Sequence, residues 1–180
     1  MERSTARGVI LGIVAMTIIV TASNVAVQFP INDWLTWGAL TYPVSFLVTD
    51  LTNRALGPKA ARKVVYVGFA VAVVLSVVAA GPRIAAASGL AFLLAQLLDI
   101  AIFDRLRRGA WWQAPLVSST LASALDTALF FALAFVGTGL PWTTWALGDY
   151  GAKMAMAMAM LVPFRALMKW ARPSPAELGA

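Results

Sequence analysis

The stretch IAAASGLAFLLAQLLDIAIF, residues 84–103, decides the fold. Twenty residues pass with only Ser88, Gln96 and Asp99 carrying polar side chains. A helix of about 20 apolar residues is what a hydrocarbon core of roughly 30 Å requires. Arg83 precedes the run and Arg105, Arg107 and Arg108 follow it, so charge brackets an apolar span. Five more runs of the same character lie at Gly8–Phe29, Trp34–Leu51, Val64–Ala80, Pro115–Val136 and Trp145–Met168. In lipid the backbone is satisfied only within a helix or around a closed barrel. Barrel strands alternate apolar and polar residues over short stretches, and these runs do not. The expectation is an all-α integral membrane protein of six transmembrane helices, a single domain over residues 1–180.

Composition agrees. Of 180 residues, 61% are hydrophobic and 12% charged, too little polar surface for a soluble domain of this size. Cysteine is absent, which excludes disulfides, thiolate nucleophiles and cysteine metal sites. Histidine is absent as well, removing the commonest metal ligand and the commonest general base at neutral pH. No metal and no cofactor is expected. No Gly-x-x-x-x-Gly-Lys-[Ser/Thr] loop occurs either, so ATP is not hydrolysed by that device.

The basic residues set the orientation. Arg3, Arg7, Arg54, Lys59, Arg62, Lys63, Arg105, Arg107, Arg108, Arg165, Lys169 and Arg172 all fall on one side of a six-span arrangement, leaving only Arg83 and Lys153 elsewhere. Both chain ends are therefore expected in the cytoplasm. Clusters of this kind meet anionic lipid, so the net charge of +6 speaks for a bilayer partner and not for nucleic acid. Tryptophan placement agrees: Trp34, Trp37, Trp142 and Trp145 fall at outer edges, Trp111, Trp112 and Trp170 at inner ones. Gly8–Phe29 is longer than a signal-peptide core of about 7–15 residues, so it is expected to stay as a span. Residues 172–180 read as a disordered tail. Gly8 and Gly12 form a Gly-x-x-x-Gly suited to a homodimer contact.

Polar side chains recur inside the spans with helical spacing. At 3.6 residues per turn, positions four, three and four apart share one narrow face. Thr17, Thr21, Asn24 and Gln28 do so in the first span. Phe92, Gln96, Asp99 and Phe103 do so in the fourth, and Ser119, Ser123, Asp126 and Phe130 in the fifth. Pro43, after Tyr42, removes a backbone bond and should kink the second span. An acid near the bilayer centre costs about 2.5–3.5 kcal/mol on insertion scales, so Asp99 and Asp126 point to a cavity, an ion pair or both. The blander readings stand beside this one. Serine and threonine stripes also join helices, Asp126 can pair with Lys153, and Asp50 with Arg54 makes a helix-end clasp or gate.

Several of these segments resemble the queuosine precursor transporter family, also called the vitamin uptake transporter family. They are Ser23-Asn24 with Gln28 and Pro30, Thr36-Trp-Gly-Ala with Pro43, and Phe46-Leu-Val-Thr-Asp-Leu-Thr-Asn-Arg54. Gln96-Leu-Leu-Asp99 with Phe103-Asp-Arg-Leu-Arg107, then Trp111-Trp-Gln-Ala-Pro115 and Ser118-Ser-Thr, follow in order. Asp126-Thr with Phe130-Phe, and Asp149-Tyr-Gly-Ala-Lys153, complete the set, which misses only the third span. The link between third and fourth spans is shorter than in some relatives. The resemblance implies a fold like the substrate-binding subunits of energy-coupling-factor transporters. It also implies import of 7-cyano-7-deazaguanine, and of its 7-aminomethyl counterpart, across the bacterial inner membrane for queuosine synthesis in transfer RNA. A carboxylate can accept the paired N–H donors of a guanine-like edge. Asp126 or Asp99 suits that role; Gln96 or Asn24 suits the carbonyl and ring edge, Lys153 an oxygen or nitrile, and a phenylalanine or Tyr42 the ring face, with Gln28 a further binding candidate. Two other classes are weighed against a solitary carrier. One is a binding subunit that needs an ATP-driven partner. The other is an intramembrane aspartyl enzyme, whose two acids must share a proton; neither Asp99 nor Asp126 has the Gly-x-Gly-Asp context of such proteases, so no enzyme is expected.

Overall fold

A computed structural model describes residues 2–26, 29–32, 34–80 and 82–169 of the chain. Gln28, Trp170 and the tail from residue 172 lie outside the described residues. Helix α1 covers Glu2–Ala26, and a two-stranded antiparallel hairpin follows, β1 at Pro30–Asn32 and β2 at Leu35–Thr36. Asn32 Oδ1 makes the turn by accepting the backbone N–H groups of Trp34 and Leu35, each at 2.9 Å. Then come α2 (Trp37–Thr41), α3 (Val44–Ala80), α4 (Pro82–Leu106), α5 (Gln113–Phe135) and α6 (Trp142–Leu167).

The run Trp34–Leu51, expected as one kinked span, is a strand, a short helix, a turn and the start of α3. Pro43 supplies the reason: it has no N–H to continue the ladder, and Tyr42–Pro43 becomes a turn closed by Ser45 N–H donating to Tyr42 O at 2.9 Å.

Helix α3 is two helices joined at one residue. Gly57 holds φ 78°, ψ 173°, a conformation essentially reserved for glycine, and Pro58 starts the second leg. Residues 52 and 64 of a straight helix would lie roughly 18 Å apart. Here a Cβ built on Gly12 would meet both Thr52 Oγ1, at 3.1 Å, and Val64 Cγ2, at 3.0 Å. The legs 44–56 and 58–80 therefore fold back along each other, with α1 against both. Gly8 faces Leu56 of the same chain in the same way. The Gly-x-x-x-Gly read as a homodimer contact is thus spent on packing α1 against α3, where only a missing side chain allows the approach.

The molecule is apolar outside. Ile10, Leu11, Ile18, Val74, Leu147 and Val162 are all more than half exposed. Its interior holds Ser45, Thr49, Asp50, Asn53, Gln96, Asp99, Ser118, Ser123, Asp126 and Lys153 instead. That inversion is what lipid selects and water forbids. Among the described residues, three helices are long and apolar enough to cross a membrane by themselves, over Ala6–Ser23, Pro82–Leu106 and Gln113–Phe135. The protein is an all-α membrane protein.

Two ends of the bundle are tied differently. At one, Arg83 Nε and Nη2 donate to the carbonyls of Leu133 (3.1 Å) and Val136 (2.8 Å), capping the C-terminus of α5. At the other, Arg54 donates to Arg107 O at 3.3 Å while Arg107 donates to Arg54 O at 3.2 Å, and Asp104 pairs with Arg107 at 3.1 Å. Partial burial, then the Arg107 charge, lowers the Arg54 pKa from its usual value. The negative ends of two helices hold these like charges side by side. The Asp50–Arg54 clasp expected from their spacing does not form. Asp50 turns into the core, and Arg54 reaches along the helix end.

Candidate functional site

Proline at position 43 opens a gap between α2 and α3, and into that gap the fifth and sixth helices send their charged groups. Lys153 is 4% exposed, and all three of its N–H donors are used. Its Nζ lies 2.7 Å from Asp126 Oδ2, 2.6 Å from Asp149 Oδ2 and 3.1 Å from Thr127 Oγ1. Tyr42 donates its hydroxyl to Asp126 Oδ1 at 3.1 Å, and Lys153 stands 5.5 Å from the centre of its ring. Thr127 Oγ1 donates to Asp149 Oδ2 at 2.7 Å. Every polar atom of the Asp126 carboxylate and the lysine is thereby satisfied, the condition for keeping charge in a dry interior. The pairing of Asp126 with Lys153, one of the two readings of that acid, is formed. Asp149 was not singled out as a site residue, yet its place four residues before Lys153 was the signal.

A cleft runs from this cluster between α3, α5 and α6, lined by Pro43, Phe46, Asp50, Ser119, Ser123 and Lys153, among others. Ser119 and Ser123 of the expected α5 stripe line this cleft, and Asp126 meets it through its bond to Lys153. That space is nearly shut. Interstices total about 320 Å³, but free room is about 10 Å³, one water at most. Tyr42, next to Pro43 in the chain, stands edge-on to Phe46 at 6.3 Å and to Phe92 at 6.1 Å between ring centres. A flat bicyclic guest needs Tyr42 or α6 to move.

The α4 stripe is buried as expected but meets other partners. Gln96 Nε2 donates to Ser45 Oγ at 2.9 Å, and its Oε1 accepts from Thr49 Oγ1 at 2.6 Å, so its amide clamps α4 to α3. Asp99 faces Asp50 across the same contact, with Ser118 of α5 beside both. Asn53 Nδ2 donates to Ile100 O at 3.1 Å just beyond. Asp99 and Asp126 therefore belong to separate clusters, and an acid bound by a lysine has no proton to share with a second. The α1 stripe departs further. Thr17 and Thr21 edge a separate open groove with Trp37 and Thr41, because α1 packs through Gly12, Met16 and Val20 instead. Asn24 is in α1, with its side chain outside the described residues.

An apolar bundle whose charges are gathered along an internal cleft is an integral membrane protein built to hold a polar guest. The chain belongs to the family described as "Putative vitamin uptake transporter", whose model matches residues 36–81 and 74–168. It is 35% identical to a Haemophilus influenzae protein named "Probable queuosine precursor transporter", over 81% of this chain and 79% of that one. It is 32% identical to the Escherichia coli "Queuosine precursor transporter", over the same shares of each chain. A Bacillus subtilis relative, also named "Probable queuosine precursor transporter", is 29% identical over 70% of this chain and 68% of its own. No solved structure gives a significant match.

Proposed function

We propose that this chain imports queuosine precursors across a bacterial inner membrane, with 7-cyano-7-deazaguanine as guest and the 7-aminomethyl base as a second one. The observation that carries the reading is the Lys153–Asp126–Asp149 cluster at the head of an internal cleft, in a chain whose relatives bear that name. A guest with two adjacent N–H donors replaces Tyr42 and Lys153 as the partners of Asp126. Lys153, kept by Asp149, is freed to donate to the guest's carbonyl or nitrile. The exchange keeps both oxygens of Asp126 and the lysine ammonium matched, which is how such a site discriminates. Phe46 and Tyr42 supply flat faces for the ring. Gln96 and Asp99, already engaged between α3 and α4, are no part of this binding set.

The topology that serves import is six spans with both ends cytoplasmic. Helix α1, the stretch leading through α2 into the first leg of α3, the second leg of α3, and α4 to α6 make six passes. The side carrying twelve of fourteen basic residues is the cytoplasmic one. The test is complementation. In bacteria unable to make the deazapurine, this chain alone restores queuosine in transfer RNA when the precursor is supplied. Failure despite good expression in the membrane favours a subunit that needs an energising partner. Binding to purified protein, across guanine, both deazaguanines and queuine, fixes the guest; equal affinity for all four overturns the assignment to deazapurines.

A further inference from the structure

Asp99 has no part in the site above and Asp50 meets it only as one wall of the cleft, and the guest's binding set accounts for neither acid. Asp50 is 2% exposed and Asp99 fully buried. Oδ1 of Asp50 and both oxygens of Asp99 meet no hydrogen-bond donor, and Oδ1 of the neighbouring, fully buried Asn53 is likewise unmatched. Among the described residues neither acid has a cation within ion-pair distance. The two carboxyls face one another across the α3–α4 contact. Two carboxylates held side by side away from water repel strongly. With no cation at hand and only the Ser118 hydroxyl beside them, the pair is tolerable only when a proton is shared between them.

The surroundings leave that proton free to come and go. From α3 the nearest charge is Arg54, one turn on and engaged with the Arg107 carbonyl. From α4 it is the Asp104–Arg107 pair, beyond Phe103. Helix α5 contributes only Ser118 and Ser119 beside the acids and no charge before Asp126. From α6, Lys153 lines the same cleft as Asp50 and is held by Asp126 and Asp149. The cleft has room for about one water between these two charged places, enough for a proton to be passed but not for bulk solvent.

We propose that the Asp50–Asp99 pair is the proton-coupling site of the carrier, loading one proton from the outer side with each guest and releasing it to the cytoplasm. The inference rests on the transport reading above. The carboxyl pair gains one O–H bond on loading and loses it on release, so one positive charge crosses with each neutral guest and no other reactant is needed.

The test uses the full chain in liposomes of bacterial polar lipid, with labelled 7-cyano-7-deazaguanine and the membrane potential clamped at zero. Exchange at equal pH reports transport alone. An inward proton gradient of one pH unit should raise internal guest roughly tenfold at one proton per guest, and an internal dye should report acidification when guest is added. Asp99→Asn should keep exchange and lose both accumulation and acidification, and Asp50→Asn should lose both as well. Exchange without gradient-driven accumulation in the wild type overturns the coupling and leaves transport standing, as does accumulation driven by sodium at equal pH. Accumulation that survives in both variants overturns the assignment to this pair. If the variants fail to fold, the wild-type dye signal decides, and its absence sinks the proposal. No exchange at all overturns the transport reading and the coupling with it.

Discussion

One lysine holds two acids at the centre of this protein, and the three do not contribute alike. Replacing Lys153 with methionine leaves Asp126 buried, and Asp149 partly buried, without a cation. Breaking a buried pair from one side costs about 3–5 kcal/mol, so K153M should show a clear drop in thermal midpoint in detergent. Asp126→Asn keeps a hydrogen-bond acceptor for Lys153, and Asp149 remains as its counter-charge. That variant should melt close to wild type while uptake falls roughly ten- to a hundredfold, the worth of one hydrogen bond to a charged group, about 1.5–3 kcal/mol. Wild-type uptake in D126N would remove Asp126 from the site. At this scale the sequence was informative about burial and poor about partners. The spacing of Phe92, Gln96, Asp99 and Phe103 picks a face that is buried along its whole length. It is silent on what the face meets, because the partner depends on how neighbouring helices are rotated. Gln96 met Ser45 and Thr49, and Asp99 met Asp50, since these pairs stand at equal depth on α3 and α4.

Among the elements, α3 shows how much one position can decide. Its legs are antiparallel because Gly57 alone adopts a backbone conformation closed to other residues. Gly57→Ala should cost about 1–3 kcal/mol and lower the yield of folded protein. Gly151→Ala, in α6 with open space around it, should be neutral or slightly stabilising. Equal melting of the two variants would show that the turn does not depend on glycine. A glycine followed by proline, as at Gly57-Pro58, is a turn signal in any sequence, and Pro43 was expected to kink its span. The role of α1 was not legible. Its threonines share a helical face, but packing follows Gly8 and Gly12, where helix α3 can come nearest. Close approach outweighs a few hydroxyls when lipid offers no hydrophobic drive between helices.

At the scale of the whole molecule, the absence of cysteine gives a clean background for mapping sides. Single cysteines at Lys59 and Arg108, both exposed, should react with an impermeant maleimide only after cells are permeabilised. One at Thr138, near the opposite end, should react in intact cells. The reverse pattern would invert the topology. The six apolar runs and the basic clusters were legible because lipid imposes length and charge rules on every span. The state of the cleft was not, since a few ångströms of helix displacement separate open from shut and no composition records them. That shut state has an electrical meaning. With space in the cleft for about a single water, no current of ions can pass through it while it is shut. A cell can keep many idle copies in its energised membrane without draining the voltage that its other machinery lives on.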